Sequence, residues 1–275
     1  MTALTQPLAF EPLAPVLPAN PPAAYQGGKR RLAARLCAMI ADTPHDGYAE
    51  AFVGMGGVFL RRTVRPRIEV INDRAGEVAN LFRILQRHYP QLMEVMRFQI
   101  TSRAHYTRLA ATPPESLTDL ERAARFLYLQ KVTFGGKVAG RTFGTDKYQG
   151  GRFNLTRLEP LLADVHERMA GVVIECLDWS DFIRRWDRPG RLFYFDPPYW
   201  GGENDYGEGL FDRSQFEAMA DQLAGIRGSF VLSINDRPET REVFKRFQFE
   251  DVPCHYSIGG GKGKAVSELI VRGGR

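Results

Sequence analysis

Apolar residues along this chain follow two spacings. Leu32, Leu36, Met39 and Ile40 recur at helical intervals, and helical patterns also run through Ala75–Leu85 and Leu120–Val132. Between them lie short, nearly continuous apolar runs of strand length: Tyr48–Val53, Ile68–Ile71, Val172–Cys176, Leu192–Phe195, Phe230–Ile234, a region around Phe247–Tyr256, and Ser267–Val271. Runs that are apolar on both faces belong to strands covered by helices on both sides. Strand and helix alternate, which predicts an α/β fold with a doubly wound, mostly parallel sheet. The last two strands, joined by Gly259-Gly260-Gly261-Lys262-Gly263-Lys264, fit an antiparallel pair.

Two stretches break the alternation. Prolines 7, 12, 15, 18, 21 and 22 interrupt the first of them, so residues 1–22 read as an extended, poorly ordered arm. Residues 80–168 are mostly helical in pattern and contain a glycine-rich, basic segment, Phe134–Asn154, that reads as hairpin or loop. The chain thus divides into a core of residues 23–79 and 169–275, with residues 80–168 inserted between its halves.

Charge gives the insertion a direction. The net charge is +5, and Lys131, Lys137, Arg141, Lys147, Arg152 and Arg157 stand together against the single acid Asp146. That cluster has the look of a phosphate footprint, and the interleaved Phe134, Phe143, Tyr148 and Phe153 suit contact with nucleic acid. Lys262 and Lys264, in the late glycine loop, fit either a second phosphate contact or a flexible hairpin tip.

Several classes drop out. No stretch approaches the roughly 20 apolar residues of a membrane span, and the first residues lack the basic, then apolar, order of a signal peptide. Cys37, Cys176 and Cys254 form no close pair, and the histidines show no ligand spacing, so neither a metal site nor a disulfide framework is expected. A reducing cytoplasm is the simplest setting.

Candidate chemistry gathers where strands end. Leu192–Phe195 runs into Asp196-Pro197-Pro198-Tyr199, a carboxylate, two residues of fixed φ and an aromatic face. In open α/β sheets ligands bind outside the carboxyl ends of the strands, and acceptors converging there could hold a planar amine. Tyr48–Val53 is followed by Gly54-Met55-Gly56-Gly57, a turn whose glycines let backbone approach a ligand. Leu60 stands where a dinucleotide fingerprint needs its third glycine, which disfavours a nicotinamide cofactor. Ile68–Ile71 ends at Asn72-Asp73, an acid placed either to hold ribose hydroxyls or to cap the next helix; the two readings are compatible. Tyr25-Gln26-Gly27-Gly28-Lys29 precedes a helix and fits an anion or cofactor contact or a plain connecting loop. Asp178-Trp179 places an acid and a large aromatic after another strand.

Taken in order, Tyr25-Gln-Gly-Gly-Lys29, Phe52-Val-Gly-Met-Gly56, Asn72-Asp73 and Asp196-Pro-Pro-Tyr199 resemble the Dam-type (class alpha) adenine-N6 DNA methyltransferases. The resemblance covers about Tyr25–Arg272 and extends to Phe126-Leu-Tyr-Leu129, Ser233-Ile-Asn-Asp236, Tyr256-Ser-Ile258 and Ser267-Glu-Leu269. It implies a methyltransferase sheet with an inserted target-recognition domain and S-adenosylmethionine bordered by Tyr25, Lys29, Phe52, Gly54, Gly56, Asp73 and Asp196. It also implies Asp178 and Trp179 on the cofactor's adenine, and double-stranded DNA held by Lys131, Lys137, Arg141, Lys147, Arg152, Lys262 and Lys264. Asp196, Pro197, Pro198 and Tyr199 would be catalytic, the first two accepting hydrogen bonds from adenine N6 and Tyr199 stacking on the flipped base. Such an enzyme is expected in the cytoplasm of a bacterial or phage-infected cell, as a monomer or weak dimer. Tyr25 departs from the tryptophan of the best-known members, and Gly135–Asn154 does not reproduce the hairpin of GATC-specific ones. The competing expectations are an adenine-N6 methyltransferase of RNA, a cytosine-N4 enzyme, and a non-catalytic nucleic-acid-binding module.

Overall fold

The structure is a computed structural model that describes residues 11–138, 140–144, 150–203, 209, 211–256 and 264–274, without the side chains of residues 134, 254–256 and 264–266. Its strands are β1 (Ala14–Pro15), β2 (Gly47–Glu50), β3 (Val64–Arg65), β4 (Ile68–Asn72), β5 (Val173–Glu175), β6 (Arg191–Phe195), β7 (Ser229–Asn235), β8 (Gln248–Tyr256) and β9 (Lys264–Gly274). Its helices are α1 (Ala33–Asp42), α2 (Gly76–Arg87), α3 (Tyr89–Met96), α4 (Arg103–Ala111), α5 (Asp119–Val132), α6 (Leu155–Arg168), α7 (Trp179–Trp186), α8 (Ser214–Ala224) and α9 (Pro238–Val243).

Seven strands form one sheet in the order β5-β4-β2-β6-β7-β9-β8. The contacts β5–β4, β4–β2, β2–β6 and β6–β7 are parallel, and β9 runs antiparallel to both β7 and β8. The doubly wound, mostly parallel sheet and its antiparallel last pair are therefore as the apolar pattern predicts. Strand side chains alternate between faces, and both faces are apolar. Tyr48, Ile71, Leu192, Tyr194 and Ile270 enter one core with α1, α2, α3, α5 and α6; Ala49, Val70, Phe193, Phe195 and Leu269 enter the other with α7 and α8. β2 and β6, in the middle of the sheet, are buried along their whole length.

The inserted helices are not a separate globule. Phe126 and Leu127 of α5 and Leu158, Leu162 and Val165 of α6 share the first core with Leu81, Phe82 and Leu85 of α2. A boundary at residue 79 would fall inside α2. Beyond this core, Tyr128, Leu129 and Val132 of α5 form a small satellite with Tyr106, against which Phe143 and Phe153 pack.

Two polar clusters lie within the apolar layers. Glu69, fully enclosed, accepts from Arg62 at 2.8 Å and from Arg168 at 2.7 and 2.8 Å. The two guanidinium groups lie over the rings of Tyr48 and Phe59, so β4 is bound to the end of α6 by charge-assisted bonds. At the other end of β4, buried Asn72 donates to the carbonyls of Ala51 and Leu177 at 2.9 and 3.1 Å and accepts from the Leu177 N–H at 2.8 Å. One amide thus ties the ends of β2, β4 and β5.

The chain ahead of α1 departs from the expected loose arm. Among residues 11–22, β1 pairs antiparallel with β3, Val16 and Ala19 donate to the carbonyls of Thr63 and Leu60, and Ala19 is buried. Proline removes N–H groups but leaves carbonyls and an extended backbone, so a proline-rich segment can lie along an edge strand. Residues 1–10 fall outside the described residues.

Asn72→Ala should destabilise the protein by about 2 kcal/mol or more, since the Leu177 N–H and two carbonyls lose their partner in a buried place. Urea unfolding checks this; a wild-type midpoint with an unchanged slope would contradict it.

Candidate active site

The carboxyl ends of the central strands open onto a cavity of about 450 Å³, lined among others by Tyr25, Lys29, Glu50, Phe52, Asp73 and Asp196. After β2 the backbone turns through Gly54 and Gly56 at φ of +50° and +74°. A Cβ on Gly54 would meet the Tyr25 ring at 2.9 Å, and one on Gly56 would meet Leu60 Cγ at 2.7 Å. Both positions therefore require glycine, for conformation and for space. Leu60, fully buried, fills the room under the turn that a dinucleotide fingerprint leaves open for a helix glycine.

Asp73 braces this turn. Its Oδ2 accepts from the Gly54 N–H and its Oδ1 from the Ala75 N–H, each at 2.9 Å. Asp73 does not cap α2, whose N-cap Ala75 has no side-chain cap; its carboxylate instead ties the Ala75 N–H, just ahead of the helix, to the glycine turn and still lines the cavity. Burial raises its ionisation to about 6, against the lowering by those two N–H groups. Burial also pushes the Tyr25 phenol up, with the Asp73 charge adding to it. Phe52 lines the wall and meets Phe211 edge to face, with ring centroids 6.0 Å apart.

The rigid turn after β6 is held by a buried ammonium. Lys29, 2% exposed, places Nζ 2.5 Å from Asp196 Oδ1 and donates to the Tyr199 hydroxyl at 2.9 Å and the Gly27 carbonyl at 3.3 Å. An ammonium has three donors, and all three are engaged. Lys29 therefore lines the cavity but directs its charge at the Asp-Pro-Pro-Tyr turn. The Tyr199 hydroxyl in turn donates to the Glu268 carboxylate on β9. Ser233 of β7 accepts from the Tyr194 hydroxyl at 2.8 Å and donates its own proton to Asp196 Oδ1 at 3.3 Å. Asp196 Oδ2 takes no hydrogen bond among the described residues, which leaves one acceptor oxygen open. Desolvation raises the Asp196 carboxyl to about 6, opposed by Lys29 and reinforced by the Glu268 charge. Pro197 and Pro198 are buried, and the Asn235 side chain pairs with both the N–H and the carbonyl of Trp200, at 2.9 and 3.0 Å, fixing the exit of the turn.

Such a site presents a stiff carboxylate acceptor beside a cavity with acids at several points of its wall, an arrangement for a ligand carrying N–H groups or positive charge. A family model described as D12 class N6 adenine-specific DNA methyltransferase matches residues 25–258. The chain belongs to this family. It is 24% identical over 269 residues to the Type II methyltransferase M1.LlaDCHI of Lactococcus lactis subsp. cremoris, covering 90% of this chain and 93% of that one. It is 20% identical over 224 residues to the Type II methyltransferase M.CviBI of Paramecium bursaria Chlorella virus NC1A, covering 81% and 85%. Among solved structures, precorrin 8W decarboxylase of Methanobacterium thermoautotrophicum overlaps with a TM-score of 0.36 at 12% identity, over 94% of this chain and 100% of that one. The methyltransferase motifs met in the sequence converge in space, since Tyr25, Lys29, Phe52, Gly54, Asp73 and Asp196 share one cavity wall.

Other expected members of the methyltransferase site lie elsewhere. Trp179 is 5% exposed and donates to Gln215 at 2.9 Å within the second core, so its ring is not presented to the cavity. Asp178 caps α7 through Ser180 and pairs with Arg74 at 3.0 Å; neither residue of the pair Asp178-Trp179 is in the lining. The first turn of an amphipathic helix buries whichever large side chain faces the sheet, and Trp179 is that residue.

The basic segment is also redistributed. Arg141 lies over the Phe126 ring and donates to Gln130 at 3.3 Å, Arg152 donates to the Thr133 carbonyl at 3.2 Å, and half-buried Lys131 lines the cavity. Burial holds the ionisation of Lys131 and Arg141 down. Phe143 and Phe153 pack on Tyr106 and Tyr128, with centroids 5.3 and 5.4 Å apart, so these rings complete a satellite core instead of offering free faces to bases. Lys137 is exposed, as a phosphate contact requires. Lys147 and Lys262 lie outside the described residues; Lys264 opens β9, and its side chain lies outside them too. No helix of the described residues is long and apolar enough to cross a membrane, and no group of three or more potential metal ligands occurs among them.

The sequence reading missed Glu50, which sits in the cavity wall, 2% exposed, accepting from Tyr48 at 2.6 Å. Burial carries its ionisation to about 8. It also gave no role to Ser233 and Glu268. The available signal was an acid or hydroxyl inside an otherwise apolar strand.

Gly54→Ala should cost about 1–2 kcal/mol from the left-handed backbone alone and displace Tyr25 from the cavity wall. A crystal structure of the variant with Tyr25 in place would contradict the packing role assigned to this glycine.

Proposed function

We propose that this adenine methyltransferase moves a methyl group from S-adenosylmethionine to N6 of an adenine turned out of cytoplasmic duplex DNA, and that Asp196 is the acceptor that makes the amine reactive. The observation that carries this is the state of the Asp196 carboxylate, a lining residue of the cavity whose Oδ1 is held by Lys29 and Ser233 and whose Oδ2 takes no hydrogen bond among the described residues.

The cofactor fits the residues present. Positive φ at Gly54 brings backbone to the wall without a side chain. Tyr25 and Phe52 supply apolar surface, Asp73 keeps lone pairs for hydroxyl donors beyond its two N–H partners, and Glu50 is an acid whose charged form awaits a cation. We assign Tyr25, Phe52, Gly54, Gly56, Asp73 and Glu50 to holding it. When bound, S-adenosylmethionine supplies a methyl group activated by a sulfonium centre.

The work of the protein lies on the amine. The lone pair of adenine N6 is delocalised into the ring, which makes it a poor nucleophile. Hydrogen bonds from its two N–H groups to Asp196 Oδ2 and the Pro197 carbonyl draw the nitrogen toward a tetrahedral geometry and localise that pair. Two adjacent prolines leave this pair of acceptors little freedom to lose, so their orientation is set before the base arrives and contributes on the scale of several kcal/mol. Asp196 is then the nearest base for the proton the methylated nitrogen gives up. Tyr199, next to the acceptors, is assigned to stack on the base. Turning the adenine out of the duplex costs a few kcal/mol, which phosphate contacts offset; Lys137 is assigned to these.

Asp196→Ala should abolish methyl transfer and leave duplex binding near wild type; transfer at the wild-type rate would end this assignment. An acceptor must be ionised, and burial raises Asp196 to about 6. Single-turnover transfer should therefore be full at neutral pH and fall as pH drops through about 6. A rate independent of pH between 5 and 7 would contradict it.

A further inference from the structure

Three charges meet in the floor of the site. Asp196, at the end of β6, contacts Lys29, and Lys29 reaches the Tyr199 hydroxyl. That hydroxyl directs its own proton to Glu268, which is 0% exposed and lies in β9 between Asn235 of β7 and Val252 of β8. The bonds point one way: ammonium to phenol, phenol to carboxylate. In such a chain the bond that the phenol accepts makes it a stronger donor to the carboxylate. Lys29 is thereby shared between two carboxylates, one direct and one through the phenol, and does not neutralise Asp196 alone.

We infer that Glu268 is a positioning residue of methyl transfer, fixing Tyr199 and Lys29 and keeping Asp196 a stronger proton acceptor than its contact with an ammonium would otherwise allow. A fully enclosed carboxylate is costly to retain, and a strand residue needed only for packing would be apolar. An acid at this place does what an apolar residue cannot. It orients the hydroxyl that holds the Lys29 ammonium, and its charge opposes ionisation of Asp196. The groups that face Asp196 are Lys29 from the segment ahead of α1, Glu50 at the end of β2, Tyr194 of β6, Ser233 of β7, and Glu268 of β9. Of these, Lys29 and Ser233 favour the charged carboxylate, and Glu50 and Glu268 oppose it. A base with raised proton affinity that is still ionised at neutral pH is matched to the amine proton it must hold.

This inference rests on Asp196 being the acceptor, and one experiment separates the two. Single-turnover methyl transfer is measured from pH 5 to 8 for the wild type, Glu268→Gln, Glu268→Asp and Tyr199→Phe, each checked for folding by circular dichroism. Loss of the charge in Glu268→Gln should move the acid limb about one unit to lower pH and lower the neutral-pH rate. Glu268→Asp keeps the charge but withdraws it from Tyr199, so the limb should stay while the rate falls. Tyr199→Phe keeps the ring and cuts the chain, with a rate loss of about tenfold for one hydrogen bond. A wild-type limb near 6 that Glu268→Gln leaves unmoved overturns the role of Glu268 and spares that of Asp196. A wild type with no limb overturns both. Should Glu268→Gln fail to fold, Tyr199→Phe decides, and a wild-type rate in that variant overturns the inference.

Discussion

The Lys29 ammonium is the point on which this site is hung. It is enclosed, and its three donors reach three places: its own loop at Gly27, the Asp196 carboxylate after β6, and Tyr199 at the end of the same turn. Through Tyr199 and Ser233 the same cluster takes in β9 and β7. Breaking a buried charge pair by removing one partner strands the other, at a cost of about 3–5 kcal/mol, whereas the intact pair adds little net stability. Its value here is geometric. A segment ahead of the first helix and a turn far later in the chain are held at one distance, and the cavity is the space between them.

Around that pair the architecture does what a parallel sheet does well. β2, β4, β6 and β7 deliver their carboxyl ends to one edge, and single polar side chains knit those ends together. Asn72 joins three strands, and Asn235 joins β7 to the turn after Tyr199. Each is buried and each has its amide satisfied, so rigidity at the site does not depend on loops packing well. The segment that closes the cavity is also bound to the insertion. Gln26 donates to the Gly136 carbonyl, and Gln130 donates to the carbonyls of both Ala24 and Gly136. A Cβ on Gly136 would come within 2.8 Å of the Ala24–Tyr25 backbone.

A sequence encodes local pattern, and local pattern made part of this molecule legible. The sheet could be read because strands buried on both faces are apolar throughout, and Asp196, Gly54 and Asp73 could be read because they sit where apolar runs stop. Leu60 was legible as a departure and is the side chain filling the space under Gly56. Direction of side chains was not legible. Arg141 and Arg152 look like phosphate contacts in a string of basic residues, yet guanidinium groups also serve as caps on carbonyls and lids on aromatic rings, and only the fold distinguishes these uses. Trp179 follows a strand end as a ligand-stacking residue would, but the helix it begins turns it inward. Residues 11–22 lack a period altogether because their partner, β3, is a short edge segment that asks only for extended backbone. Glu50 and Glu268 carried a faint signal, a charge where the pattern is apolar, which local pattern alone cannot tell from a surface edge.

The order of strands in the sheet differs from their order along the chain, and for β9 that difference bears on assembly. It follows both β7 and β8 along the chain, yet it is inserted between them, and it carries Glu268. During synthesis β7 and β8 must therefore stay apart, or separate again, before β9 can take its place. Until then the floor beneath Tyr199 is missing, however complete the glycine turn and the cavity wall already are. The wall of the cavity built on β2, β4 and β6 can thus stand before its floor, because the partner of Tyr199 comes only with β9.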